Sequence, residues 1–228
     1  MCKRLACIAT FPGREQVIGQ AVQSLLPQVD ELHICINGDK EFSWSPPAGV
    51  HVSRVVDRGD ASKFTLACQG ATGYLFTCDD DIIYPHDYIA QLLHYLKATP
   101  KAAVGVHAAR FRCSPPRNYR SDRDVRRCLG PAVQDVRKEH QLGTGTLAFH
   151  SSTIQLSWKH FENGFMADVW FALQAQYQQV SLLSIPHEEK WLKEARPQPA
   201  DTIWARMTRD SDKPQIRALS RVKEWKLW

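Results

Sequence analysis

Short apolar runs alternate along this chain with stretches whose apolar positions recur at helical spacing. Residues 3–11 (KRLACIATF) read as a buried first strand, broken by Pro12-Gly13. Residues 14–26 carry Val17, Ala21, Val22 and Leu25 on one helical face, and Pro27 ends that helix. A second strand is expected over 31–36 (ELHICI), with a turn at Asn37-Gly38 and a loop over 39–49. A third follows at 50–57, then a turn at Arg58-Gly59-Asp60 into a helix over 61–70 with Asp60 as its N-cap. Residues 74–78 (YLFTC) form the fourth strand. Later come a helix over 87–98, a strand over 102–111 and a strand over 142–150. Asn163-Gly164 then leads to a helix over 165–178, followed by a last strand over 180–185. Residues 113–138 show no clear period and read as a long surface loop, a kind that in compact domains is usually functional or disordered.

Strand and helix alternate through the first part of the chain, so the predicted class is α/β with a mostly parallel sheet. Ligands of such open sheets bind beyond the carboxyl ends of the strands. Thr10, Asn37, Asp57 and the triplet Asp79-Asp80-Asp81 all fall at such ends. The triplet is the most informative of these. Adjacent carboxylates at the end of an apolar strand repel one another and are costly to desolvate. A hard divalent cation, Mg²⁺ or Mn²⁺, offsets that cost because it prefers oxygen ligands. The plain alternative is a solvated acidic turn, with Asp87 capping the next helix.

Length and composition narrow the picture. At 228 residues the chain is long enough for one domain with an appended tail. No apolar run reaches the roughly 20 residues needed to span a bilayer. Too little precedes Cys7 for a secretory or lipoprotein signal, so a mature cytoplasmic start is expected. The seven cysteines contain no CxxC pair, which favours a reducing compartment over a zinc site. A net charge of +5 suits anionic ligands but is too mild to imply nucleic acid, and none is expected as a partner. The positive charge is uneven: seven arginines lie between Arg110 and Arg127, and seven basic residues between Arg206 and Lys226.

The ordered set of motifs resembles the GT-A glycosyltransferases, close to the inverting family 2 group, over roughly residues 3–190. The motifs are the strand ending in Thr10-Phe11 with its turn and Arg14, and Asn37 at the end of strand two. They continue through GDASKFTLACQGATGYLFTCDDD to Ala167-Asp168-Val169-Trp170 at a later helix start. The resemblance implies a Rossmann-like GT-A domain over 1–190 and a basic helical extension over 191–228, packed on the domain or lying on the inner membrane surface. It implies transfer of a sugar from a nucleotide-sugar, with a UDP-sugar as the expected donor, to a glycan or lipid-linked acceptor. Mn²⁺ or Mg²⁺ is the implied cofactor.

Carried over residue by residue, Asp79 would hold the nucleoside side of the donor. Asp81 would hold the metal, with Asp80 assisting one or the other. Lys63, Thr10, Arg14 and Asn37 would line the nucleotide site. Asn37 stands where the family more often has an aspartate, which leaves the base open. Asp168 would be the general base, taking the acceptor hydroxyl proton, although Ala167 replaces the usual glutamate before it. The helix dipole would keep Asp168 ionised. His187 is a further expected metal ligand. Gly143 and Gly145 would let the acceptor approach the backbone. The Arg-rich segment reads as a mobile lid, an acidic-acceptor site or a solvated loop. The C-terminal IRALSRVKEWKLW reads as a basic helix that either packs on the domain or lies on an anionic membrane. Two other classes remain open: a nucleotidyltransferase, and a non-enzymatic polyanion or nucleic-acid binder with steep salt dependence.

Overall fold

The computed structural model describes residues 2–162, 164–196 and 212–228. Arg206 and Arg209, at the start of the second basic group, and Asn163 of the predicted turn lie outside them. The centre is an eight-stranded sheet in the order β3-β2-β1-β4-β11-β6-β12-β9. Its members are β1 (Arg4–Thr10), β2 (Glu31–Asn37), β3 (Val50–Val55), β4 (Tyr74–Cys78), β6 (Ala102–Gly105), β9 (Arg137–Glu139), β11 (Thr146–His150) and β12 (Ser181–Ser184). Neighbouring strands pair in parallel except at β11, antiparallel to β4 and β6, and at β9, antiparallel to β12.

Both faces of the central strands are apolar because both are covered. On one face Ala6, Ile8, Ile34, Phe76 and Val104 pack with helices α1 (Glu15–Leu25) and α3 (Tyr88–Ala98). On the other, Leu5, Leu75, Leu147 and Phe149 pack with helix α4 (Ala167–Tyr177). Helix α4 is buried nearly all round, because α5 (Lys213–Leu219) packs against it.

Several elements differ from the predicted ones, each for a local reason. Residues 61–70 form a 3-10 turn (Gly59–Phe64) and the single-turn helix α2 (Thr65–Cys68). Asp60 does not cap that turn; its carboxylate accepts the backbone N–H of Ala167, at the start of α4, at 3.2 Å. The run 102–111 bends after Gly105, so β7 (Ala108–Phe111) leaves the main sheet and joins a second one, ordered β10-β7-β8. The Arg-rich segment supplies β8 (Arg123–Arg126) to that sheet and is not the expected loop throughout. Gly143–Gly145 likewise divides the predicted strand 142–150 into β10 (Gln141–Leu142) and β11. Two short strands, β5 (Ile82–Ile83) and β13 (Lys193–Glu194), pair beside the acidic triplet.

The described part of the C-terminal tail is integral to the core. Trp225 is buried, donates its indole N–H to the Leu219 carbonyl at 3.1 Å, and meets Phe111 edge-on at 5.0 Å. Gln176 and Lys226 exchange two hydrogen bonds of 2.7 and 3.0 Å. The Trp225 ring is therefore occupied by packing and does not face a membrane. Among the described residues no helix is long and apolar enough to cross one. Trp225→Ala should cost about 3–5 kcal/mol in urea unfolding. An unchanged midpoint would show that the tail does not belong to the core.

Candidate functional site

The triplet leaves β4 at its carboxyl end, next to the ends of β1 and β2, and its three side chains part. Asp80 turns inward and is buried. It accepts the Thr10 hydroxyl at 2.6 Å and the Arg14 Nε at 3.0 Å. Arg14 is itself buried and also donates Nη2 to Asp81 at 2.7 Å. Burial opposes its charge, but the carboxylates of Asp80 and Asp81 outweigh that and raise its pKa. Thr10, Arg14 and Asp80 thus form a closed internal network that sets the turn, with Asp79 and Asp81 left at its partly exposed rim.

Asp79 is held from two sides. Its carboxylate pairs with Lys63, whose ammonium is buried. Burial works against that charge too, yet Asp79 and Asp60 keep it protonated. On the other side the Asp79 carboxylate lies against Gly145, where an added Cβ would fall 1.9 Å from Oδ2. Gly145 therefore makes room for Asp79 rather than for an acceptor. A Cβ at Gly143 would strike the ring of His107 at 2.9 Å. Tyr84 joins the two strand ends: its hydroxyl accepts the Asp79 N–H at 2.8 Å and donates to the Gly145 carbonyl at 2.8 Å.

Asp81 carries the electrostatic strain of the turn. Burial, then the charges of Asp79 and Asp80, push its carboxyl up to about 6 against the pull of Arg14. A cation beside Asp79 and Asp81 would relieve that repulsion, and carboxylates are the donors a hard divalent ion takes, although among the described residues these two and His187 do not draw together within 4.8 Å as a ligand set. His187 offers a nitrogen of the right kind. Its Nδ1 lies 3.0 Å from the Glu188 carbonyl, which only accepts, so Nδ1 carries the proton. Nε2 is buried and, among the described residues, has no hydrogen-bond partner. The backbone of His187 pairs with Val133, and farther along the same segment Ala195 donates to the Asp81 carbonyl at 2.8 Å.

Asn37 sits at the end of β2 but serves the adjoining loop. Its amide donates to the Gly59 carbonyl at 2.9 Å, and its oxygen accepts the Arg58 N–H at 3.2 Å and the Ser62 hydroxyl at 2.5 Å. It shapes the turn that presents Asp60 and Lys63.

Asp168 lies in the first turn of α4, half-buried. Its Oδ2 accepts the Tyr119 hydroxyl at 2.9 Å and the Gln141 amide, and Gln141 also donates to Tyr119 at 2.7 Å. Arg123 covers the Tyr119 ring at 3.6 Å. The Arg-rich segment thus holds the carboxylate in place, and other arginines near it are also committed internally. Arg137 donates to the buried Glu139 at 2.6 Å, with Arg126 3.6 Å away. Asp60, Tyr119, Gln141 and His107 were not among the residues expected from sequence. Burial lowers the pKa of His107, with Arg123 and Arg127 adding to the shift and the Asp168 and Asp79 charges opposing it. Only Asp60 carried a signal, its position before Lys63. A cavity of about 270 Å³ with mixed polar and apolar walls, between α2 and residues 151–156, lies at the opposite end of β4, away from these groups.

No protein-family model and no curated protein matches the sequence. Among solved structures, a crystal structure of GalNAc-T7 with UDP, GalNAc and Mn²⁺ is similar, with a TM-score of 0.62 at 8% identity. The match covers 96% of this chain and 48% of that one, so the chain spans about half the length of the structure it matches. The likeness establishes the fold alone: the chain has the GT-A, Rossmann-like fold expected from sequence.

Asp60 supplies a test that needs no ligand. It keeps a partly exposed edge, but the protein around its carboxyl desolvates it and pushes it from 3.8 up to about 7. The neighbouring Asp168 charge adds to that shift, and Lys63 opposes it. A raised folded-state value means that the fold prefers the protonated acid. The stability from Asp60 is therefore full below about pH 4 and lost as pH rises through about 7. Asp60→Asn keeps an oxygen for the Ala167 N–H and removes the titration. Its melting temperature relative to wild type should climb between pH 5 and pH 8; a difference flat with pH would refute the assignment.

Proposed function

We propose that this chain is a metal-dependent glycosyltransferase of the inverting kind, acting on a UDP-sugar. The observation that carries the reading is the parted triplet. One inward carboxylate, Asp80, fixes the turn, and two outward ones, Asp79 and Asp81, remain at the carboxyl end of a GT-A sheet. The similar crystal structure holds UDP and Mn²⁺. Asp81 and His187 are the residues that would hold the ion, with Asp79 on the nucleoside side of the donor. When bound there, it would neutralise charge on the departing diphosphate.

The remaining steps fall to this chain's own groups. Asp168, in the first turn of α4, accepts the proton of an acceptor hydroxyl as that oxygen attacks the anomeric carbon. The bond from that carbon to the diphosphate oxygen breaks on the opposite face, and the nucleotide leaves without needing a proton. Tyr119 and Gln141 position Asp168 by donating to one of its oxygens and leaving the other to its own helix. Lys63 holds Asp79 in place through their ion pair. Membership of the family 2 group and a glycan acceptor belong to the same proposal, supported by the resemblance and by Asp168.

The test is release of UDP from a panel of UDP-sugars with Mn²⁺, with and without carbohydrate acceptors. Asp168→Asn should lower kcat by roughly 10²–10⁴-fold while leaving UDP affinity unchanged. Release of pyrophosphate instead of UDP would identify a nucleotidyltransferase, and wild-type turnover in Asp168→Asn would remove that residue from the role.

A further inference from the structure

At the far edge of the sheet, away from the acidic triplet, the structure gathers a different kind of donor set. Glu31 and His33 are two residues apart on β2 and so point to the same face. His51 on β3 is the parallel partner of His33 in the pairing register. The two imidazoles stack at 4.7 Å between centroids, 18° from coplanar. His33 Nε2 lies 3.1 Å from Glu31 Oε2, and one ligand atom from each of the three residues falls within 4.8 Å of the others. Lys3 takes the other Glu31 oxygen at 2.6 Å, which fixes the carboxylate and leaves Oε2 directed at the histidines.

This face is open because the helical layer over it is short. The 3-10 turn and α2 together cover only residues 59–68, and β3 beyond them carries exposed side chains at His51 and Ser53. The next inward residue on the same face of β2, Cys35, is buried with its sulfur 3.7 Å from that of Cys7, and so stands apart from the set.

We propose that Glu31, His33 and His51 form a second metal site, selective for a borderline divalent transition ion such as Zn²⁺, that clips the edge strand β3 to β2. Two imidazoles and one carboxylate suit Zn²⁺, Ni²⁺ or Cu²⁺ and disfavour Mg²⁺. Metal–nitrogen bonds of about 2.0–2.1 Å set tetrahedral ligand atoms roughly 3.3 Å apart. The Glu31–His33 pair already has that spacing, at 3.1 Å. His51 is exposed and free to rotate the remaining distance. Water would complete the coordination on the solvent side. A bound ion would also occupy the outer face of an edge strand, the part of a sheet most open to pairing with other chains.

The site is independent of the nucleotide reading and is tested without it. Tag-free protein is titrated with ZnCl₂ by calorimetry in wild type, His33→Asn, His51→Asn and Asp81→Asn. The Zn²⁺ equivalent bound at this site should persist in Asp81→Asn, and its affinity should fall by at least about tenfold in either histidine variant. Imidazole ¹⁵N spectra of wild type, which need no variant to fold, should show the His33 and His51 nitrogens shifting with added Zn²⁺ and not with Mg²⁺. Unmoved imidazole signals, or an undiminished wild-type Zn²⁺ affinity in both histidine variants, would overturn the proposal. The three side chains would then be a surface ion pair with a stacked neighbour.

Discussion

The interaction on which this molecule depends is the pairing of two buried cations with a run of three carboxylates. Asp79, Asp80 and Asp81 follow directly from a buried strand, and alone their mutual repulsion would drive the turn into solvent. Arg14, from the start of α1, reaches Asp80 and Asp81, and Lys63, from the turn after β3, reaches Asp79. Each cation is itself buried, so losing Asp79 would leave Lys63, and losing Asp80 would leave Arg14, short of its main compensating charge inside the protein. The geometry of the site and the folding of three chain segments are thereby one problem with one solution.

That solution reaches further along the chain. The turn that presents Lys63 is shaped by Asn37 and also presents Asp60, which holds the first N–H of α4. Helix α4 carries Asp168 in the same turn. The acid at the helix start and the acids at the strand end are consequently tied through a few residues of the Gly59–Phe64 turn. A substitution there would move both halves of the site together. From the other side, the Tyr119 and Gln141 contacts tie Asp168 to the small antiparallel sheet. This gives the Arg-rich segment a structural purpose that its charge alone did not suggest.

Much of this was legible beforehand, for identifiable reasons. The parallel strands are short apolar runs bounded by turn residues, so β1, β2 and β4 were placed closely, and with them the strand-end positions of Thr10, Asn37 and the triplet. Helix periodicity located α1, α3 and α4. What escaped were features set by partners distant in sequence. Nothing local in 102–111 or 142–150 says that the chain leaves one sheet and enters another. The role of Gly145 depends on Asp79, 66 positions earlier, pressing against it. Asp60 looked like a cap for its own turn because that reading used only neighbouring residues. Asp80 had only an assisting role beside one neighbour or the other until the buried Thr10 and Arg14 separated it from them.

The most direct measurement is calorimetric titration of UDP into wild type and Asp81→Asn, each with and without Mn²⁺. The expected result is UDP binding that requires Mn²⁺ in wild type and is lost in Asp81→Asn, with the variant's melting temperature near that of wild type. Binding of UDP that is indifferent to Mn²⁺ and to Asp81, or no binding under any condition, would contradict the reading of the two outward carboxylates as a diphosphate–metal clamp.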